Sequence, residues 1–304
     1  MTLRSARPVA VVARAAAAPI LLAALIAACS TAAAPSPTPG ATGSPSAPPT
    51  AAPTSTPEID GIQHPTGATD VVLRMEEGGG FVPIDFLATS APQFTLYGDG
   101  TVVFRDPTAT LPEPVGGVTR SAPFLIVNIG EGGIQALLTE AIGPGGLGAA
   151  VGPYMGQGAD MSTTTFTINA DGDTKQVSVS GFLPDLHPQD AVIVGALGRL
   201  AERLSGFADA IAGEAKYVPA AYRGILMPVD QPFGPVIAWP WTDITPAEFV
   251  PGDNEFFMTR TMTLAEVAVL EIPGAEGGFL GLTLKHEGKL FSFSLRPLLP
   301  DETK

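Results

Sequence analysis

Apolar and polar residues alternate in three places along the chain, and each alternation folds back about a glycine-containing turn. Phe94–Phe104 (FTLYGDGTVVF) sets Phe94 and Leu96 before Gly98-Asp99-Gly100, and Val102 and Phe104 after it. Thr163–Ser180 sets Phe166 and Ile168 before Asp171-Gly172, and Val177 and Val179 after it. Phe279–Leu295 (FLGLTLKHEGKLFSFSL) is built the same way around Glu287-Gly288. A period of two sends successive side chains to opposite faces, and an acidic residue followed by glycine suits the left-handed turn. Each stretch therefore predicts a β-hairpin with one apolar face. Further strands are predicted at Val71–Met75 and Phe124–Val127.

Other stretches carry the helical period. GGIQALLTEAI ends at Ile142, where Gly143-Pro144 stops it. The longest pattern, PQDAVIVGALGRLAERLSGFADAIAG, starts after Pro188, holds Asp190 in its first turn and predicts a helix to about Ala212. Its positions Val192, Ala196, Leu200, Leu204 and Phe207 form one core-facing stripe. TLAEVAVLEI opens on Thr263 with Glu266 three residues later, the pattern of a capping box. The fold class is α+β: antiparallel β-hairpins forming a sheet, with helices packed on one face. Helix followed by hairpin occurs twice, at 131–180 and 263–295, which suggests two αββ-containing lobes meeting near 217–222.

The front of the chain follows a different pattern. Arg4, Arg7 and Arg14 stand in a stretch without acids, and an apolar run of 14 residues, Ala15–Ala28, follows. That order is a targeting signal, and the run is shorter than the roughly 20 residues a membrane-spanning helix needs. The run closes on Ile26-Ala27-Ala28-Cys29: an aliphatic residue, two small residues, then the chain's one cysteine. This box resembles the lipobox of bacterial lipoproteins. The resemblance implies that residues 1–28 are a signal peptide and that Cys29 becomes the new N-terminus, thioether-linked to diacylglycerol. Each buried methylene contributes about 0.8 kcal/mol, and two acyl chains anchor stably where one does not. The resemblance thus implies lipid anchoring on the extracytoplasmic face of the cell membrane. Residues 29–57 continue as a spacer with eight prolines and no charge. Such a segment buries too little apolar surface to order itself and would reach at most roughly 85 Å if extended. Residues 58–304 remain as the globular domain.

Charge narrows the partners. Residues 1–28 hold three arginines and no acid, so the remainder carries 13 basic and 30 acidic residues, a formal charge of −17. Phosphate backbones repel such a chain, and no nucleic-acid partner is expected. The expected partners are the membrane, through Cys29, and a cell-envelope protein or glycan.

Candidate chemistry is sparse. Gly143–Gly148 matches GxGxxG by letter, but a helical pattern precedes it where a strand is required, so it reads as a loop. Asn169, Asp171 and Asp173 have the alternate spacing of calcium ligands, but the glycine falls between the second and third acids and the later glutamate is missing, so a hairpin turn explains them. His64, His187 and His286 are scattered, and no metal or cofactor is expected. Glu76-Glu77 is an adjacent acid pair at a strand end, read as a solvated edge. Trp239-Pro240-Trp241 holds both tryptophans, and Pro240 marks the segment as an edge or a loop. The indoles form either a platform for a sugar or peptide, or a cover over a core. The reading adopted is a membrane-tethered, non-catalytic binding or cell-envelope interaction module. An envelope hydrolase with a long-range site and a solute-binding subunit of an importer stand as alternatives.

Overall fold

The computed structural model describes residues 61–252 and 256–303. The chain divides into two units, Met1–Pro57 and Glu58–Lys304, and every described element belongs to the second. The expected signal peptide, Cys29 and the expected spacer lie outside the described residues.

The domain is α+β and holds two sheets. Strands and helices are numbered in chain order. The first sheet runs β6 (Tyr154–Met155), β8 (Asp173–Ser180), β7 (Ser162–Ala170), β1 (Val71–Gly79), β2 (Phe94–Tyr97), β3 (Thr101–Phe104), β5 (Leu125–Asn128), β9 (Ala215–Lys216). The second runs β11 (Val236–Ala238), β14 (Phe279–His286), β15 (Lys289–Pro297), β10 (Tyr222–Val229), β13 (Met258–Met262), β12 (Val250–Pro251), with β4 (Thr119–Arg120) also on β14. All pairs are antiparallel except β6 with β8 and β11 with β14.

The three expected hairpins are β2–β3, β7–β8 and β14–β15. In the last two, both turn residues take the left-handed backbone that the sequence suggests: Asp171 and Gly172 have φ of 53° and 82°, and Glu287 and Gly288 have φ of 46° and 82°, whereas in the β2–β3 turn only Gly100 does, at 85°. The apolar alternates behave as expected. Phe94, Leu96, Val102, Phe104, Phe166, Ile168, Val177 and Val179 enter one core. Helix α2 (Gly130–Ile142) adds Ile134, Leu137, Leu138 and Ala141 to it, and α3 (Ala191–Ser205) adds Val194, Leu197, Leu200 and Leu204. Both helices therefore cover the same face of the first sheet. The second sheet encloses a separate core rich in aromatic residues, which α4 (Leu264–Ala268) caps with Val267. The capping box at α4 is present: Glu266 donates its amide N–H to Thr263 Oγ1 at 3.2 Å, and its carboxylate accepts from Thr263 N at 2.7 Å. A short helix, α1 (Ile84–Ala88), lies on the connection from β1 to β2.

Some details differ from the sequence pattern. Helix α3 ends at Ser205 and passes through Gly206 into a 3₁₀ turn at Phe207–Ala210, short of Ala212. Val192 is 89% exposed and is not part of the buried stripe. Steps of four residues drift by about 40° per step on a helix of 3.6 residues per turn, so a stripe centred on Leu197, Leu200 and Leu204 leaves Val192 off its edge. The two helix-then-hairpin segments are also wired oppositely. In the first, the entering strand β7 pairs with the long neighbour β1; in the second, the leaving strand β15 pairs with β10.

Candidate functional site

Apolar alternation has a second consequence: the residues in between must also face somewhere. In β1 and β7 the alternates to Leu73, Met75, Phe166 and Ile168 are Arg74, Glu76, Thr165 and Thr167. In β10 and β15 the alternates to Leu226, Phe293 and Leu295 are Arg223, Ser294 and Arg296. Opposite its main apolar face, each sheet thus sets a patch of hydroxyls and charges, beside apolar positions such as Tyr97 and Val103 in the first and Ile225 in the second. Arg223 and Arg296 are direct cross-strand neighbours.

The C-terminal turn joins these polar faces. Leu299 enters a third apolar cluster with Tyr97, Val103 and Phe124 of the first half. Beyond it, Asp301 accepts from Arg74 Nη2 and from Tyr97 Oη, both at 2.7 Å. Glu302 accepts from both terminal nitrogens of Arg296, at 2.6 and 2.8 Å, and from Leu299 N at 2.9 Å. Tyr217 Oη donates to Leu298 O at 2.8 Å. Burial works against both carboxylates, but Arg74 and Tyr97 outweigh it at Asp301 and Arg296 outweighs it at Glu302, so both are held below the usual carboxylate range. Burial pushes the Tyr97 phenol far up, and Asp301 adds to the shift. Burial, with the charge of Arg296 nearby, lowers Arg105 to about 10, and its guanidinium lies over the Phe124 ring at 4.0 Å.

Beside this turn a cleft of about 480 Å³ opens between the two sheets. One wall is β1 and β7: Glu76, Glu77, Gly78, Gly79, Thr163 and Thr165. The opposite wall is Arg223, Arg296 and Glu302. Ser90, Ala91 and Pro92, at the return into β2, complete the lining. Thr163 and Thr165 are held from the neighbouring strand by hydroxyl hydrogen bonds to Ser180 and Ser178, at 2.7 and 2.9 Å. The arm between Gly79 and Ser90 carries exposed apolar groups, with Phe81 91% and Phe86 56% accessible. Gly79 and Gly80, with φ of 72° and 78°, turn the chain out of β1 into this arm, a conformation that side chains at these positions would strain.

The residues singled out in the sequence lie mostly elsewhere. Trp239 and Trp241 follow β11 in the aromatic core of the second sheet, edge to face with ring centroids 5.2 Å apart. Trp241 is 6% exposed and donates Nε1–H to Glu266 O at 2.8 Å. Trp239 is half-buried, donates to Ile244 O at 2.6 Å and lies 5.1 Å from the His286 ring. Neither reaches the cleft between the sheets. His64 sits at a separate hollow near the β7–β8 turn, 3.2 Å from Glu131, and His187 faces the carbonyls of Ser180 and Gly181. Among the described residues, no group of three His, Cys, Asp or Glu side chains gathers as a metal would require. Glu76 and Glu77 do line the cleft. The remaining cleft residues carry one signal in the sequence, the Thr, Ser and Arg alternates opposite each apolar face. Nothing local, however, shows that two such faces meet. Compared with protein-family models, curated proteins and solved structures, the chain shows no match.

Proposed function

We propose that the chain is a membrane-tethered extracytoplasmic lipoprotein whose globular part is a non-catalytic binding module for a cell-envelope component. Ile26–Cys29 supplies the anchor and the uncharged, proline-rich 29–57 segment holds the domain off the bilayer. The two sheets act as two lobes, and the ligand seats in the cleft between them. The observation that carries the binding reading is the convergence of charged and hydroxyl side chains from both sheets on that one cleft. Trp239, half-buried beside His286, offers a secondary contact surface.

A hydrolase is the second reading, because Glu76, Glu77 and Glu302 share the cleft. Glycoside hydrolysis needs one carboxyl that keeps its proton. Glu302, clasped by Arg296, is biased toward the ionised form, the opposite of a proton donor. The antiparallel hairpins also differ from the parallel βαβ lobes common to importer subunits.

Cys29→Ala tests the tether. The variant should lose metabolic fatty-acid label, leave the detergent phase and accumulate as an uncut precursor. A variant that still labels and partitions with detergent would overturn the anchor at Cys29.

A further inference from the structure

We infer that the cleft between the sheets is built for a neutral saccharide, whose hydroxyls pair with the polar walls and whose apolar ring face stacks on the arm carrying Phe81 and Phe86. This rests on the cleft being the binding site, as proposed above.

The chemistry of the walls sorts the ligand classes. An anion wants donors alone, and a cation wants acceptors alone. The walls offer both: guanidinium N–H groups from Arg296, carboxylate oxygens from Glu76 and Glu302, and hydroxyls from Thr163 and Thr165 that both donate and accept. Arg296 and Glu302 neutralise each other through two hydrogen bonds, so neither presents an uncompensated charge for a counter-ion. With Glu76 and Glu77 on one wall and Arg223 on the other, the cleft keeps acceptors and donors in mixture, and a ligand whose polar groups are hydroxyls can pair with both. Thr163 and Thr165 are held by Ser180 and Ser178, so their remaining hydrogen-bonding capacity is oriented before a ligand arrives.

The second observation is independent of the walls. Phe81 and Phe86 stand exposed on the arm joining two cleft-lining segments, Gly78–Gly79 and Ser90–Pro92. Large exposed aromatics gathered on one arm mark an interaction surface. A pyranose presents C–H groups on one face and hydroxyls around its rim, and so satisfies an aromatic arm and a polar cleft together. A fully apolar ligand would strip water from the Glu76 and Glu77 carboxylates and give them nothing in return, while a free anion or amino acid would make no use of the phenyl rings.

The test uses the full mature chain in detergent micelles, with hydrogen exchange read by mass spectrometry. The probes are linear pentasaccharides of glucose, mannose, galactose and N-acetylglucosamine, with diglycine and inorganic phosphate as charged controls. At least one pentasaccharide should slow exchange in 76–79, 90–92 and 163–165. Phe81→Ala, at a position with no packing to lose, and Glu76→Gln should each weaken that binding about tenfold or more. Protection of the same segments by diglycine or phosphate, and by no sugar, would overturn the ligand class and leave the cleft as the binding site. Sugar binding that both variants leave unchanged would overturn the stacked, carboxylate-assisted geometry. Protection elsewhere, or by no probe, would overturn both the ligand class and the cleft.

Discussion

Trp241 and Trp239 differ in what their indoles touch, although they are two residues apart. Trp241 packs on Phe293 at 5.6 Å and Trp239 at 5.2 Å, and its N–H closes on the Glu266 carbonyl. Removing that ring leaves a cavity and an unpaired backbone acceptor, so Trp241→Ala should cost about 3–5 kcal/mol in urea unfolding. Trp239→Ala should cost clearly less, because part of its surface already faces water. The fluorescence of the Trp239→Ala variant, which reports Trp241 alone, should be blue-shifted and resist iodide. Equal costs for both variants, or free iodide access to Trp241, would count against this difference in burial.

At the scale of the element, the hairpins show how a local pattern is converted into structure. Glu287-Gly288 and Asp171-Gly172 occupy the same pair of left-handed turn positions, but Glu287 lacks the short side chain that eases this backbone. Glu287→Asn should therefore stabilise the β14–β15 hairpin by up to about 1 kcal/mol. Thermal melts of the two proteins decide this, and a lower melting temperature for the variant would refute it. Helix α3 shows the limit of reading a stripe from spacing. A step of four reaches the buried Leu200 and Leu204 but runs off the face at Val192, since the true period is 3.6. Strands β10 and β13 were not legible at all. GILMPV shows no alternation, and MTRTM alternates Met with Thr or Arg, so neither separates a core face clearly in the chain itself.

At the scale of the molecule, the two sheets are held together by the C-terminal turn. Arg74 and Asp301 are 227 residues apart in sequence, and Tyr97 and Asp301 are 204 apart. Removing one partner of a buried, hydrogen-bonded pair leaves the other charged and uncompensated. Glu302→Gln should thus destabilise the domain by about 3 kcal/mol at neutral pH, read by denaturant melts. A cost below about 0.5 kcal/mol would show that the turn does not secure the seam. Acid should have a related effect. Asp301 and Glu302 both titrate lower in the folded chain than their ordinary values of 3.8 and 4.5. Their contribution is therefore complete above about pH 4.5 and is lost as the pH falls through the folded values. Stability should drop below pH 4.5 in the native chain, and Glu302→Gln should flatten the part of that slope due to Glu302. An unchanged slope in the variant would rule out this linkage.

By itself the sequence determined the three hairpins, the existence of the helices now seen at Gly130–Ile142 and Ala191–Ser205, the capped turn at Thr263, and which alternates of the first two hairpins face the first core. These features follow from nearest-neighbour geometry: a strand or helix has a fixed period, and water sorts its faces before any distant segment arrives. Only the tertiary structure decided that the hairpins belong to two sheets, that the hairpins β7–β8 and β14–β15 attach in opposite senses, and that Glu76, Arg296 and Glu302 share one cleft. Polar alternates read the same on a solvated face as on an internal seam. The difference arises when a second polar face approaches, strips water from both and forces each charge to find a partner.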